Sequence, residues 1–139
     1  MTEVTFYVTE TPGARTSIAW RIAEKAWRQQ RRVYIHAGTE ADARALDALF
    51  WAQQPASFLP HAVLGDSAAD GSPVVLGFGE DPGEHHDVLI NLTSEVPDFY
   101  ARFDRVAEMI CGDPTQRKAG RLRWAFYRDR GYPVTDHKL

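Results

Sequence analysis

Residues 4–36 read VTFYVTETPGARTSIAWRIAEKAWRQQRRVYIH, and the order of patterns inside them points to a parallel α/β fold. Val4 to Val8 is β-branched and aromatic, the composition of a buried strand. Thr9 to Arg15 is broken by Pro12 and Gly13 and reads as a loop. Thr16 or Ser17 is placed to cap a helix that runs to about Gln30. Within it Ile18, Ile22 and Ala26, with Ala19, Ala23 and Trp27, recur at i, i+4 as a core face. Arg28 to Arg32 then puts cations where the helix C-terminus is partially negative. Val33 to His36 is a second short apolar strand. Strand, helix and strand in succession form the βαβ unit of a parallel sheet.

Further on, Thr39 and Asp42 form a variant capping box for a helix over about Glu40 to Trp51, with Ala45, Leu46, Leu49 and Phe50 turned inward. Pro55 stops it. In Pro55 to Pro60 two prolines bracket Phe58 and Leu59, a turn after Trp51. So much apolar area in a short loop either plugs the core or meets a partner. His61 to Leu64 is a short strand, and Val74 to Phe78 and Val88 to Leu92 are clean buried ones. Gly65 to Pro73 and Gly79 to His86 read as surface loops. A helix is expected from Asp98 to Cys111, with Phe99, Phe103, Val106 and Ile110 inward, ended by Gly112-Asp113-Pro114. Beyond Pro133 the tail is expected to be loosely held. The expected architecture is therefore a single domain over residues 1–139. It has three layers and is Rossmann-like, with a mostly parallel central sheet flanked by helices.

The second informative stretch is TQRKAGRLRWAFYRDRGY, residues 115–132. On a helix, Arg117, Arg121, Trp124 and Arg128 fall on one stripe, while Ala119, Leu122 and Phe126 fall opposite, toward the expected core. A tryptophan among arginines is unnecessary if charge alone is wanted. Arginines around an aromatic platform suit a ligand that carries a carboxylate beside an apolar group.

Bulk properties narrow the classes. The 139 residues suit one domain, 44% hydrophobic content supports a core, and a net charge of −3 argues against wholesale coating of nucleic acid. Cys111 is the single cysteine, so neither an internal disulfide nor a thiolate-rich metal site can be built, and a reducing cytoplasmic setting is expected. The N-terminus lacks the pattern of a signal peptide, and no stretch is apolar enough to span a membrane.

Chemistry-bearing motifs are sparse. GFGEDPG, residues 77–83, lacks G-x-G-x-x-G spacing and opens no helix for a pyrophosphate; no Walker A pattern occurs. A nucleotide-like architecture without a nucleotide site is the expectation, with no cofactor and no metal. His85-His86-Asp87 is a poor chelate, because neighbours in an extended segment point to opposite faces, and it reads as exposed loop. His36 ends a strand, where α/β enzymes place a base, yet no Ser, Cys or carboxylate is set by sequence to work with it. Ser17 and Ser57 lack a nucleophile elbow. Cys111, beside a helix end and cations, reads as a buried thiol or a mildly activated one.

Across TFYV near the start, RVYIHAGTEADARALDALFWAQQPASFLPH, DVLINL and RLRWAFYRDRGY, the chain resembles the chi subunits of bacterial DNA polymerase III. The most specific part is LDALFWAQQPASFLPH, through its Leu-Asp, Trp, Ser-Phe and Pro-His positions. The resemblance implies a non-catalytic accessory subunit with a mononucleotide-binding-like fold and no bound nucleotide. It implies two partners: the psi subunit of the clamp loader, and the acidic C-terminal tail of single-stranded DNA-binding protein (SSB), which ends in an apolar residue and a free carboxylate. DNA is then met indirectly, through SSB. Carried over by position, Trp51, Phe58, Leu59 and Pro60 correspond to the psi-binding surface; whether a repair helicase competes for the Phe58 surface is left open by the sequence. Ile110, Arg117, Arg121 and Trp124 correspond to the SSB-tail pocket, with Lys118, Arg123 and Arg128 drawing the acidic residues upstream. Relatives with lysine at the Arg117 position or tyrosine at Trp124 keep charge and ring. Loops 65–73 and 79–86 depart from the family pattern. Two rival readings stand beside it: a direct single-stranded nucleic-acid binder using the basic helix and Trp124, and a degenerate α/β nucleotide hydrolase.

Overall fold

The computed structural model describes residues 2–139 except 12, 53–58, 67, 68, 70 and 80. Its elements are β1 (Glu3–Thr9), α1 (Arg15–Arg28), β2 (Val33–His36), α2 (Glu40–Ala52), β3 (Ala62–Val63), β4 (Val74–Gly77), β5 (Val88–Asn91), β6 (Arg105–Cys111), α3 (Pro114–Asp129) and β7 (Val134–Lys138). A short 3-10 turn covers Tyr100–Arg102. The seven strands form one sheet in the order β3-β4-β2-β5-β6-β1-β7, and every pairing is parallel. Parallel strands must return by crossovers, which cover the faces and bury the strands on both sides.

Strand alternation sorts the core into two layers. Val33, Ile35, Ala107, Met109 and Cys111 face α1 and α2, where they meet Ile18, Trp20, Ala23, Leu46 and Phe50. Val4, Phe6, Tyr34, Leu89 and Val106 face the other side, against Phe99, Phe103 and Tyr127 of the 3-10 segment and α3. Gly77 has a packing duty: a Cβ there would collide with the Tyr34 ring. Its glycine belongs to a close aromatic approach, not to a phosphate loop.

Several boundaries differ from the sequence expectation. The expected helix over 98–111 is a 3-10 turn followed by the central strand β6, paired with both β5 and β1. Gly112, at φ 70°, therefore turns the chain out of a strand. Asp113 caps the next helix by accepting from the Gln116 N–H at 2.8 Å, with Pro114 in the first turn. The expected loose tail is β7, held to β1 from Val4↔Val134 to Val8↔Lys138. In α1 the residue at the N-cap is Ala14, and no side chain caps it. In α2, Ala43, Leu46 and Phe50 are buried, while Ala45 is exposed and Leu49 is 50% exposed. On α3 the inward residues are Gly120, Arg123 and Tyr127, and Leu122 is 67% exposed.

Candidate functional site

The C-terminal helix is fixed to the sheet by polar contacts that its sequence pattern does not advertise. Glu108 on β6 is fully buried. Its carboxylate accepts from Arg123 Nε at 2.9 Å, from the Tyr127 hydroxyl at 2.7 Å and from Asn91 Nδ2 at 3.1 Å. Arg123 also donates to the carbonyls of Met109 (2.9 Å) and Ser94 (3.2 Å). Burial pushes the Glu108 carboxyl upward, and Arg123, Asn91 and Tyr127 oppose that push. The Tyr127 phenol is driven up by burial and by the Glu108 charge. Arg123 is therefore a structural anchor and not a surface cation, which corrects its expected role in attracting acidic residues.

This anchor orients the stripe beside it. Gly120 lies directly over Ile110: a Cβ at Gly120 would sit 2.5 Å from Ile110 Cδ1. With no side chain between them, Ile110 reaches a groove flanked by Arg117 and Arg121. The groove, of about 650 Å³, is completed by Val8, Thr9 and Glu10 from the end of β1 and by Lys138 from β7. Three of the four expected tail-binding residues, Ile110, Arg117 and Arg121, thus line one groove. Trp124 does not line it; half-buried one turn along, its indole leans on Phe6 with ring centroids 5.0 Å apart. Arg128 is answered locally by Asp129 at 3.1 Å.

Among its described lining residues the groove presents three cationic side chains, Arg117, Arg121 and Lys138, against one acidic side chain, Glu10, with Leu139 at its edge. Glu10 reaches Arg117 only at 4.0 Å, and its side chain is 94% exposed, so this contact is weak and easily exchanged. The arrangement can accept an anionic group between guanidinium forks and an apolar group on Ile110 and Val8.

A second surface lies at the end of α2. Trp51 is 47% exposed and packs against His61 with ring centroids 4.4 Å apart. The His61 side chain is buried; its Nδ1 meets the Leu59 carbonyl oxygen at 2.7 Å, and its Nε2 stands 3.4 Å from Asp47 Oδ1. The Asp, Trp and His of the LDALFWAQQPASFLPH stretch are thus spatial neighbours. Pro60 is half-buried. Leu59 is completely buried in the α1 and α2 core, so it cannot offer a side chain to a partner, a correction to its expected place on that surface. Phe58 lies outside the described residues.

The remaining candidates resolve by chemistry. At the C-terminal ends of β2, β4 and β5 a crevice of about 380 Å³ is lined by His36, Phe99, Glu95 and Asp98. That is where an open α/β sheet binds ligands, but the two carboxylates repel phosphate. Burial lowers the pKa of His36, and its Nδ1 has no hydrogen-bond partner among the described residues. His85 is buried rather than exposed, meeting the Ser72 carbonyl oxygen at 2.8 Å through Nε2. Ligand atoms of His86, Asp87 and Asp104 lie within 4.8 Å of one another, but Asp87 already accepts from the Arg32 N–H at 2.8 Å. Cys111 is buried, and burial pushes its thiol up. No helix among the described residues is long and apolar enough to cross a membrane.

These features describe an α/β domain with charged grooves on a nucleotide-like scaffold. The chain belongs to the family described as DNA polymerase III chi subunit, HolC, whose pattern it matches over residues 1–135. It is 47% identical over 141 residues to the DNA polymerase III subunit chi of Pseudomonas aeruginosa, covering 100% of this chain and 98% of that one. It is 28% identical to the Escherichia coli subunit chi over 139 residues, covering 95% of each. Among solved structures, T4 UvsW matches with a TM-score of 0.69 at 9% identity, over 99% of this chain and 41% of that one. Domain 2 of the DEAD-box helicase Mss116p, bound to an RNA duplex, matches with a TM-score of 0.60 at 12% identity, over 99% of this chain and 64% of that one. At such identities the likeness shows a shared fold. The family makes the chain an accessory subunit of a replicative DNA polymerase.

Proposed function

We propose that this subunit is a non-catalytic adaptor that links the clamp loader, through psi, to SSB on the template strand. The observation that carries the reading is the convergence of Ile110, Arg117 and Arg121 on one groove with Lys138. A polypeptide that ends in an apolar residue and a free carboxylate matches that groove in both charge and greasiness. Each charge-assisted hydrogen bond to the carboxylate contributes roughly 1.5–3 kcal/mol. Acidic residues further up the tail are drawn by exposed cations such as Lys118, a contribution that weakens with salt while the carboxylate anchor persists. The psi surface is the end of α2, where Trp51 and Leu49 are about half exposed.

Titration calorimetry with an SSB tail peptide tests the first contact. Arg121→Ala weakens binding by roughly 2 kcal/mol, whereas Trp51→Ala leaves it unchanged and spoils association with psi. Unchanged affinity in Arg121→Ala overturns the pocket. Loss of both partners in Trp51→Ala marks Trp51 as a packing residue supporting the whole domain.

A further inference from the structure

The cations of this acidic protein are not evenly matched. Arg28 meets Glu24 at 3.6 Å, Arg44 meets Asp66 at 2.6 Å, and Arg123 meets Glu108 at 2.9 Å. Arg21, Lys25, Arg31 and Arg105 make no ion pair or side-chain hydrogen bond with any described residue. All four converge on one groove of about 390 Å³, on the face of the sheet opposite α3. Arg21 and Lys25 stand on one stripe of α1, Arg31 follows that helix, and Arg105 begins β6. Among the described residues no Asp or Glu side chain lines this groove, and Leu139 lies at its edge; Glu3, the register neighbour of Arg105 on β1, is exposed beside it.

The groove has a floor as well as a rim. On this side α1 packs over β2 and α2 over β3 and β4 at the far edge, so β1 and β7 are left partly open. Tyr7 of β1 and His137 of β7, partners in the strand register, expose their rings in the groove, with centroids 5.6 Å apart and a 43° tilt. Ile22 of α1, half-buried, adds apolar surface above the buried Ile18. Cations alone would suit any polyanion. Rings and aliphatic surface set among unpaired arginines suit one whose repeating unit carries both a phosphate and a flat base. The bases must be unpaired to present their faces, which selects a single strand over a duplex. Family membership in a DNA polymerase makes that strand DNA.

We infer that the groove between α1 and the β6-β1-β7 edge is a direct contact site for single-stranded DNA, separate from the carboxylate-binding groove on the α3 face. Phosphates lie against Arg21, Lys25, Arg31 and Arg105, and a base lies against Tyr7 and His137. The inference is independent of the tail-binding reading: the two grooves share Leu139 at their edges but use different cations, on opposite faces of the sheet. It moves direct strand contact away from the basic C-terminal helix.

The test is fluorescence anisotropy with a dye-labelled oligothymidylate of about 12 nucleotides and the full chain, without SSB. Binding is expected at low salt, with log affinity falling against log salt at a slope of about −2 to −3, as for three to four phosphates on a single strand. Arg21→Glu combined with Arg105→Glu lowers affinity at least about tenfold, and Lys25→Glu alone lowers it less. All three positions are exposed, and an unchanged thermal midpoint confirms the fold. His137→Ala weakens binding and His137→Phe restores it, a response that charge alone would not give. Arg121→Ala leaves strand binding unaffected. No binding at low salt overturns the inference, as does loss caused by Arg121→Ala but not by the α1 and β6 changes. An oligoglutamate of equal charge that binds as tightly, with the same sensitivity to Arg21→Glu and Arg105→Glu, overturns it in favour of an acidic-peptide groove.

Discussion

Arg123 Nε lies 2.9 Å from Glu108 Oε1 with both side chains almost wholly out of water, 6% and 0% exposed. This pair, one residue on α3 and the other on the central strand β6, fixes how the basic helix sits on the sheet. The Tyr127 hydroxyl and the Asn91 amide fill the remaining acceptor sites of the carboxylate.

A buried pair of this kind contributes less than its Coulomb energy suggests, but breaking it is costly. Arg123→Met leaves the Glu108 carboxylate without its counter-charge and is expected to destabilise the fold by about 3–5 kcal/mol. Urea unfolding measures it. Adding Glu108→Leu to that variant recovers part of the loss, because the stranded charge is gone. A loss below about 1 kcal/mol in the single variant would mean water reaches the pair.

Gly120→Ala separates stability from binding. Helix propensity favours alanine by about 1 kcal/mol, and forcing Ile110 away costs about 1–3 kcal/mol. Net stability in urea is therefore expected to change by at most about 2 kcal/mol, while affinity for the tail peptide falls because Ile110 leaves the groove floor. Intact affinity would mean Ile110 is not part of the contact.

Two histidines couple stability to pH. Burial lowers the pKa of His36 and of His85 below the ordinary histidine value of 6.5. Each is held neutral in the folded state, while the unfolded chain takes up protons near that value. The stability they contribute is fully present above pH 6.5 and is lost as the pH falls from there toward their lowered values. Thermal unfolding between pH 7.5 and 5.5 should show a falling midpoint, and His36→Asn with His85→Gln should flatten that fall. An equal fall in the double variant would assign it to other groups.

The first half of the fold was readable because β1, α1, β2 and α2 each carry an undisguised pattern. The error at 98–111 came from a degenerate spacing. Val106 and Ile110, four apart, share a face on a helix and also on a strand, since four is an even offset. The intervening Ala107 and Met109 are buried on the other face, and a strand buried on both sides reads as an unbroken apolar run. β7 was missed for the opposite reason: most of its residues are exposed. Backbone pairing with β1 holds it, and charges such as Asp136 and Lys138 suit an edge.

The candidate groove was partly legible. Arg117 and Arg121 follow from helical spacing, and Ile110 came through the family resemblance. Lys138 was invisible because its strand was. Arg123 was misread because a charge on a basic helix looks solvated until its partner, 15 residues back on another element, is known. No local pattern marks Gly120 as the residue that lets Ile110 through. Leu59, between prolines, fits a core plug and a partner surface equally by local pattern, and only its packing decides for the core.

The most direct measurement compares two acidic peptides that end in the same aromatic residue, one with a free carboxylate and one with a terminal amide, by calorimetry on the intact protein. The account predicts that the amide binds about ten- to a hundredfold more weakly, the worth of one charge-assisted contact, and that Arg121→Ala removes most of that difference. Equal affinity for the two peptides would contradict a groove built to hold a terminal carboxylate.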